Sequence, residues 1–438
     1  MIGAGVFTTS GFALGDLGSR EFVMWAWMAG GVIALCGALS YGALGRRFPE
    51  SGGEYLFLSR MIHPLAGFLA GWVSLLAGFT APIAAAALGL QAYVGYVVEL
   101  DVRPEWIGTT AIAMAGLIHG LRFREGVWLQ NAAVALKLAL IFGFVGYGLS
   151  ALPAMQEPAS RAGEPAEFVW GAFAVTLVWV SFSYSGWNAA VYIAGEVRDP
   201  ERSLRRSLLL GTSVVMTLYL GLNAVFLYSV PIEELAGRAE VGAIAAGALG
   251  GEWLTRGVAG VVALALFTSI WSMVMAGPRV YAKMAEDGLF PRFFEADGDT
   301  PTAAIGLQTV AAIVVVWTSG LAELFSYIGF TLGVSAAITV CALMALRWRE
   351  GADRVRVPGF PVVPLIFVAA TVWGATFVVL REPVQAAMGL GTALLGVPLY
   401  YWMRSHGSRS RGAGADTGTE TIAGVDASAA NDPRGGTE

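Results

Sequence analysis

The feature that most restricts this chain is repeated along it. Eleven stretches carry no Asp, Glu or Arg: 22–45, 64–90, 106–121, 126–149, 168–194, 207–230, 257–278, 302–321, 324–346, 360–380 and 383–403. A single lysine, Lys137, interrupts them. Nearly all exceed the roughly 18 apolar residues that mark a helix able to cross a bilayer. Only 13% of residues are charged and 56% are hydrophobic, whereas a soluble domain carries about 25% charged. Mean hydropathy is +0.64. Disorder, a soluble enzyme and a secreted disulfide scaffold are thereby excluded, and the chain reads as a polytopic membrane protein. The two cysteines, Cys36 and Cys341, both lie in apolar runs and suggest neither a disulfide nor a metal site.

Loop charge gives the orientation. With the loop after 22–45 placed in the cytoplasm and the sides alternating from there, sixteen Arg and Lys residues, from Arg46 to Arg356, fall in cytoplasmic loops. Six fall opposite: Arg20, Arg103, Arg161, Arg238, Arg256 and Arg381. That asymmetry follows the positive-inside rule, and one missed span would have scrambled it. Residues 1–15 form a shorter apolar piece, which at 1.5 Å per residue reaches about 22 Å and makes half a span. It lacks the basic n-region of a secretory signal. Counting it as the first of twelve puts both termini in the cytoplasm. From Ser405 onward Gly, Ser, Ala, Thr, Asp and Arg dominate, and that tail is expected to be disordered.

A solute carrier must bind a polar guest at membrane depth, and broken helices are the economical way, because freed backbone groups are tolerated only where they line a cavity. Two stretches of small, flexible residues qualify. Ile2-Gly3-Ala4-Gly5-Val6-Phe7 lies in the opening half-helix, and Ser181-Phe182-Ser183-Tyr184-Ser185-Gly186-Trp187-Asn188 in the sixth span. They are five spans apart, so an odd-numbered repeat would invert one against the other. Helix resuming after Gly3 offers the N–H groups of Ala4, Gly5 and Val6 to an anion. Carbonyls around Phe182 and Ser185 can accept from an ammonium. The pair suits a zwitterion, although small residues also serve plain helix packing.

These residues carry a resemblance. IGAGVF, FPESGGEY at 48–55, FSYSGWNAAVYIAGEVRDPERSL at 182–204 and GPRVYAKMAEDGLFP at 277–291 resemble, in order, the amino acid–polyamine–organocation superfamily of secondary transporters, nearest its L-type and bacterial permease branches. The resemblance implies an all-α, five-plus-five inverted-repeat fold with helices 1 and 6 discontinuous. It implies a first repeat over 1–149, a second over 150–348, two further helices over 349–404, and amino acids as cargo. It also implies that the amides of Ala4 and Gly5, beside Gly3, take the substrate carboxylate. The carbonyls of Met1, Phe182 and Ser185 would take the amino group, and the Phe182 ring would be a gate. Relatives start their first helix upstream of the GxG break. Here the chain starts at it, from a misassigned start, a missing inner half of helix 1 or, as the third reading, a genuine half-helix start. Extension upstream is expected to restore flux.

Lys137 is the one charge inside a span, by default a functional candidate. Burial disfavours its charged form, so it is a candidate to exchange a proton. By resemblance its ammonium stands where sodium-coupled relatives hold a cation. It either cycles a proton in symport or remains charged as a plug, as suits an exchanger, with snorkelling to an interface the third reading. Thr268, Ser269 and Ser272 offer hydroxyls nearby, though hydroxyls in such helices commonly bond their own backbone. No Asp or Glu lies within the spans to pair with a cationic side chain, and a neutral amino acid is expected.

Other constellations are bland. His63, His119 and His406 lack ligand spacing. Ser51-Gly52-Gly53 lacks the context of a phosphate loop and reads as a cytoplasmic loop at the inner gate. Glu196, Arg198, Asp199, Glu201 and Arg202 read as a solvated face. No cofactor, metal or nucleic acid is expected; the partners are an amino acid, protons under the symport reading, and the lipid bilayer. An obligatory exchanger remains the rival of the same class, and a non-transporting amino acid sensor the rival of another. An intramembrane enzyme lacks a catalytic group.

Overall fold

The computed structural model describes residues 2–50, 52–98, 101–120, 126–155, 167–188, 191, 200–296 and 300–415. Met1, the loop residues Arg122, Arg124 and Arg161, and Glu196, Arg198 and Asp199 lie outside them, as do the side chains of Glu201, Arg202 and His406. A helix occupies every run expected from the sequence. In chain order they are α1 (Ala4–Leu17), α2 (Arg20–Arg47), α3 (Gly53–Met61), α4 (Pro64–Val94), α5 (Pro104–Gly120), α6 (Gly126–Met155) and α7 (Trp170–Ser183). Then follow α8 (Pro200–Tyr228), the single turn α9 (Ile232–Leu235), α10 (Val241–Glu286), α11 (Thr302–Thr318), α12 (Leu321–Glu350), α13 (Val362–Arg381) and α14 (Pro383–Ala415). Among the described residues, eight helices are long and apolar enough to cross a membrane, while α7 and α11 are shorter apolar helices.

Local chemistry sets the boundaries. Gly18 takes a left-handed conformation (φ 63°) to end α1, and the Ser19 hydroxyl accepts from Phe22 N–H at 3.3 Å to cap α2. His63, bland in sequence, caps α4 through Nδ1, which accepts from Leu65 N–H at 3.1 Å, and Pro64 follows at the first helical position. Pro82 cannot donate to the carbonyl one turn back, and α4 widens into a π segment over Ser74–Thr80 just before it. α10 is two helices joined at a kink, where Gly251 has φ 70°. The sequence signal for disorder from Ser405 is not followed locally, because α14 runs on to Ala415. Extending an existing helix needs no new nucleus.

Helices pack closely because lipid-facing surfaces gain nothing hydrophobic from one another and small residues let backbones approach. A methyl group at Gly37 of α2 would stand 2.7 Å from Trp187, and one at Gly30 2.5 Å from Val180. The helix ends sort into two groups. At one, the basic end, Arg47 of α2 pairs with Glu350 of α12 at 3.0 Å, Arg46 donates to the Arg356 carbonyl, and Tyr55 of α3 donates to Asp287 beyond α10 at 2.7 Å. At the other, Arg20 donates to the Val230 carbonyl at 2.7 Å and Arg103 lies 5.1 Å over the Trp317 ring.

Candidate functional site

Gly3 is extended (φ −145°, ψ −154°), helix begins at Ala4, and no side chain caps it. The first N–H groups of α1 therefore have no intrahelical partner. Ile2, Gly3, Ala4 and Gly5 line a cavity of about 810 Å³. Gly5 has a second duty, since a Cβ there would stand 2.6 Å from the Ser183 Cα. The backbones of α1 and α7 approach closely there, and Thr9 and Ser183 share a hydroxyl hydrogen bond of 3.0 Å one turn along α1.

The second break follows α7. Helix ends at Ser183, and residues 184–188 form turns with Gly186 at φ 92°, the left-handed region that suits glycine. Ser181, Phe182, Ser185, Gly186 and Asn188 line the same cavity. The expected acceptors are partly engaged: Phe182 O accepts Ser185 N–H at 2.8 Å, and Ser183 O accepts the Tyr219 hydroxyl at 3.2 Å. A carbonyl has two lone pairs, so Phe182 O retains capacity.

Lys137 is brought to the first break. It is 6% exposed, and its Nζ donates to the Ile2 carbonyl at 3.4 Å and to Thr268 Oγ1 at 3.5 Å. Ser269 Oγ reaches the same Ile2 carbonyl at 3.3 Å. Both hydroxyls also bond Ala265 O within their own helix, at 2.9 Å each, so the two sequence readings of these residues hold together. Ser272 donates back to Thr268 O at 2.8 Å and lines the cavity. An ammonium and the Ser269 hydroxyl thus converge on the Ile2 carbonyl where α1 begins, with Thr268 Oγ1 accepting from the same ammonium. Met1, expected beside it, lies outside the described residues.

Phe182 forms the cavity wall toward the Arg20 end. Its ring stacks on Phe325 of α12 at 5.3 Å, and Phe325 meets Phe12 of α1 edge-on at 6.3 Å. Neither Phe325 nor Phe12 was legible as part of the site, because each sits in an ordinary apolar run.

The residue that sequence reasoning missed is Glu54. It lies in a loop helix outside the spans, yet it is 4% exposed and lines the cavity. Its Oε1 accepts from Tyr41 Oη of α2 at 2.6 Å and from Asn188 Nδ2 at 3.3 Å, and its Oε2 from Ser335 Oγ of α12 at 3.0 Å. Burial pushes its carboxyl above the usual carboxylate range against the opposing pull of those three donors. The signal was the glycine pair: Gly52 (φ 137°) and Gly53 (φ 54°) both adopt left-handed backbone and turn α3 so that the next side chain enters the protein.

Sequence comparison now meets this geometry. Residues 1–402 match the amino acid permease family. The chain belongs to that family. Its similar proteins include the serine/threonine exchanger SteT of Bacillus subtilis, 24% identical over 426 residues, covering 92% of this chain and 93% of the relative. The large neutral amino acids transporter small subunit 2 of Mus musculus is 25% identical, with 92% and 78% covered. The Asc-type amino acid transporter 1 of Mus musculus is likewise 25% identical, with 92% and 78% covered. The permease family and these relatives are transporters and not enzymes, in keeping with apolar helices that surround a cavity lined by Gly3, Gly5, Phe182 and Ser185.

Proposed function

We propose that the protein is a secondary active transporter of neutral amino acids that works by alternating access in the cytoplasmic membrane, with both termini cytoplasmic. The observation that carries this reading is the convergence of two helix breaks, of opposite dipole sense, on one cavity. The amides of Ala4 and Gly5 take the carboxylate, and carbonyls at Phe182 and Ser185, with that of Met1, take the amino group. The five-plus-five inverted repeat, with twelve membrane helices, α1 as half a span and repeats over 1–149 and 150–348, places the breaks on α1 and α7 as related elements. α1, α2, α7 and α8 form the rocking bundle. Phe182 is the gate toward the Arg20 end.

A neutral cargo fits the electrostatics. Both oxygens of Glu54 already hold protein donors, and Lys137 is spent on the Ile2 carbonyl. Exchange is the second reading, favoured because the Bacillus subtilis relative is named an exchanger and because a lysine fixed on that carbonyl suits a permanent plug. Tracer flux of L-serine, L-threonine and L-leucine into liposomes decides between them. Uptake driven by a pH gradient without internal amino acid supports symport, and strict dependence on preloading supports exchange. Amino acid binding without flux would leave a non-transporting sensor, and neither binding nor flux of any amino acid would overturn the reading. In the symport case Lys137→Ala is expected to lower pH-driven uptake by at least tenfold, about 1.4 kcal/mol; unchanged uptake would remove the lysine from coupling.

A further inference from the structure

The geometry points to Glu54 as a second proton-binding site of the cavity, one that takes up a proton as the basic end closes and releases it as that end opens. This rests on the transport reading above. Three observations carry it. Glu54 joins three separate elements: α2 through Tyr41, the turn after α7 through Asn188, and α12 through Ser335. In the proposed rocking cycle α2 and the α7 break move while α12 does not, so the cluster spans the plane of motion and must separate at each opening. The carboxyl is almost wholly buried in this arrangement, and opening would hydrate it.

The charges around it leave the proton as its balancing partner. From α2, Tyr41 faces it; from the turn after α7, Asn188; from α12, only Ser335. Arg205 of α8 lies against Gly42, next to Tyr41, but forms no ion pair with Glu54. Tyr55, the following residue on α3, is committed to Asp287. Arg60 of the same helix pairs with Glu50 at 3.0 Å in an exposed position. Lys137 lines the same cavity but is engaged at the Ile2 carbonyl. Glu196, Arg198 and Asp199 lie outside the described residues. A hydroxyl can donate or accept, so Tyr41 or Ser335 can turn to accept from a protonated Glu54 and the cluster persists in either form.

The sign follows from burial. The closed end holds the carboxyl above its ordinary range, and in the open, hydrated end it returns toward that range. The closed state therefore binds the proton more tightly. Closure is favoured below the ordinary carboxylate range and loses that advantage as pH rises through the raised value. The proton leaves Glu54 for water at the basic end when the contacts part, and no other bond is made or broken.

The experiment uses full-length protein in liposomes and in detergent. The isosteric Ser272→Cys, on the cavity wall, is placed in a background with Cys36 and Cys341 replaced, and its modification by a water-soluble maleimide is followed from pH 5 to 8. The Glu54→Gln variant keeps three hydrogen bonds but cannot titrate, and its profile removes the intrinsic pH dependence of the thiol. The expected result is that wild-type labelling, divided by that of Glu54→Gln, rises on the order of three- to tenfold over this range. L-Serine flux should show the same ratio. Ser335→Ala removes one donor to the charged form and should move the rise to higher pH, which also serves if Glu54→Gln does not fold. A flat ratio, or an unmoved midpoint in Ser335→Ala, overturns the proposal. Absent amino acid flux with a rising labelling ratio would count against the transport reading and leave the proton site standing.

Discussion

The two ends of the cavity are closed by different chemistry. Toward the Arg20 end Phe182 lines the cavity and packs on Phe325, which meets Phe12 edge-on, with neutral hydrogen bonds nearby such as Trp27 Nε1 to Ser10 Oγ at 3.0 Å and Tyr93 Oη to Phe7 O at 2.7 Å. Toward the basic end the contacts run through carboxylates: Glu54 in the interior, Asp287 under Tyr55, and Glu350 beside Arg47. Dispersion and shape hold the ring contacts of the first, although the helix termini beyond them carry ion pairs such as Arg238 with Glu240 at 2.8 Å. The second is held by groups that titrate and screen.

The largest effect that would break this contrast is at the aromatic end. Phe182→Ala removes a ring that is 9% exposed, and truncating a buried phenylalanine costs about 3–5 kcal/mol. Because the lost ring faces the cavity, part of that cost is expected as weaker amino acid binding, by roughly 30-fold or more, and part as access of impermeant reagents from the Arg20 side. Both should be independent of pH and salt. Equilibrium binding of labelled L-leucine and L-serine at two ionic strengths measures this. A salt-sensitive defect would mean that the aromatic wall is not the closure at that end.

Tyr55→Phe sharpens the comparison from the other side. The hydroxyl donates to Asp287 at 2.7 Å in a half-buried position. Its loss leaves the carboxylate without that donor, which costs about 1–2 kcal/mol. Amide exchange in α3 (Gly53–Met61) should accelerate roughly 5- to 30-fold, while amides of α1 keep their protection. Equal acceleration in both would show that the two ends open as one unit.

How much of this was legible depends on where each residue lies relative to the apolar runs. The spans and both breaks could be read because glycine spacing at Gly3 and Gly5 and the small-residue stretch through Gly186 have no other use in a uniformly apolar helix than packing or interruption. Lys137 could be read because a lone charge in hydrocarbon has few excuses. Glu54 could not, because loop charges are ordinarily solvated. Only the fold shows that Gly52 and Gly53 return the chain to the interior. A carboxylate that lines the cavity need not lie in a span, because the cavity takes part of its wall from the loop helix α3. The Phe12–Phe325 contact joins residues more than three hundred positions apart, and nothing local encodes that separation.

The smallest expected effect is also the most discriminating for the basic end. Arg47 and Glu350 form a two-point contact, Nε to Oε2 at 3.0 Å and Nη2 to Oε1 at 3.2 Å, with side chains 38% and 22% exposed. The guanidinium holds the Glu350 carboxyl below its usual range, so its contribution is present above that range and lost as pH falls through the lowered value. Exposure and salt limit such a pair to about 0–1 kcal/mol. Arg47→Gln should therefore change L-serine flux by no more than roughly fivefold at low salt, and the difference should vanish on the order of 0.5 M salt, where the screening length is only a few ångströms. The Glu54-dependent ratio, protected from solvent, should survive the same salt. If salt erased both, Glu54 would be reached by water in the closed state, and burial could not be what distinguishes the interior carboxyl from the surface pair.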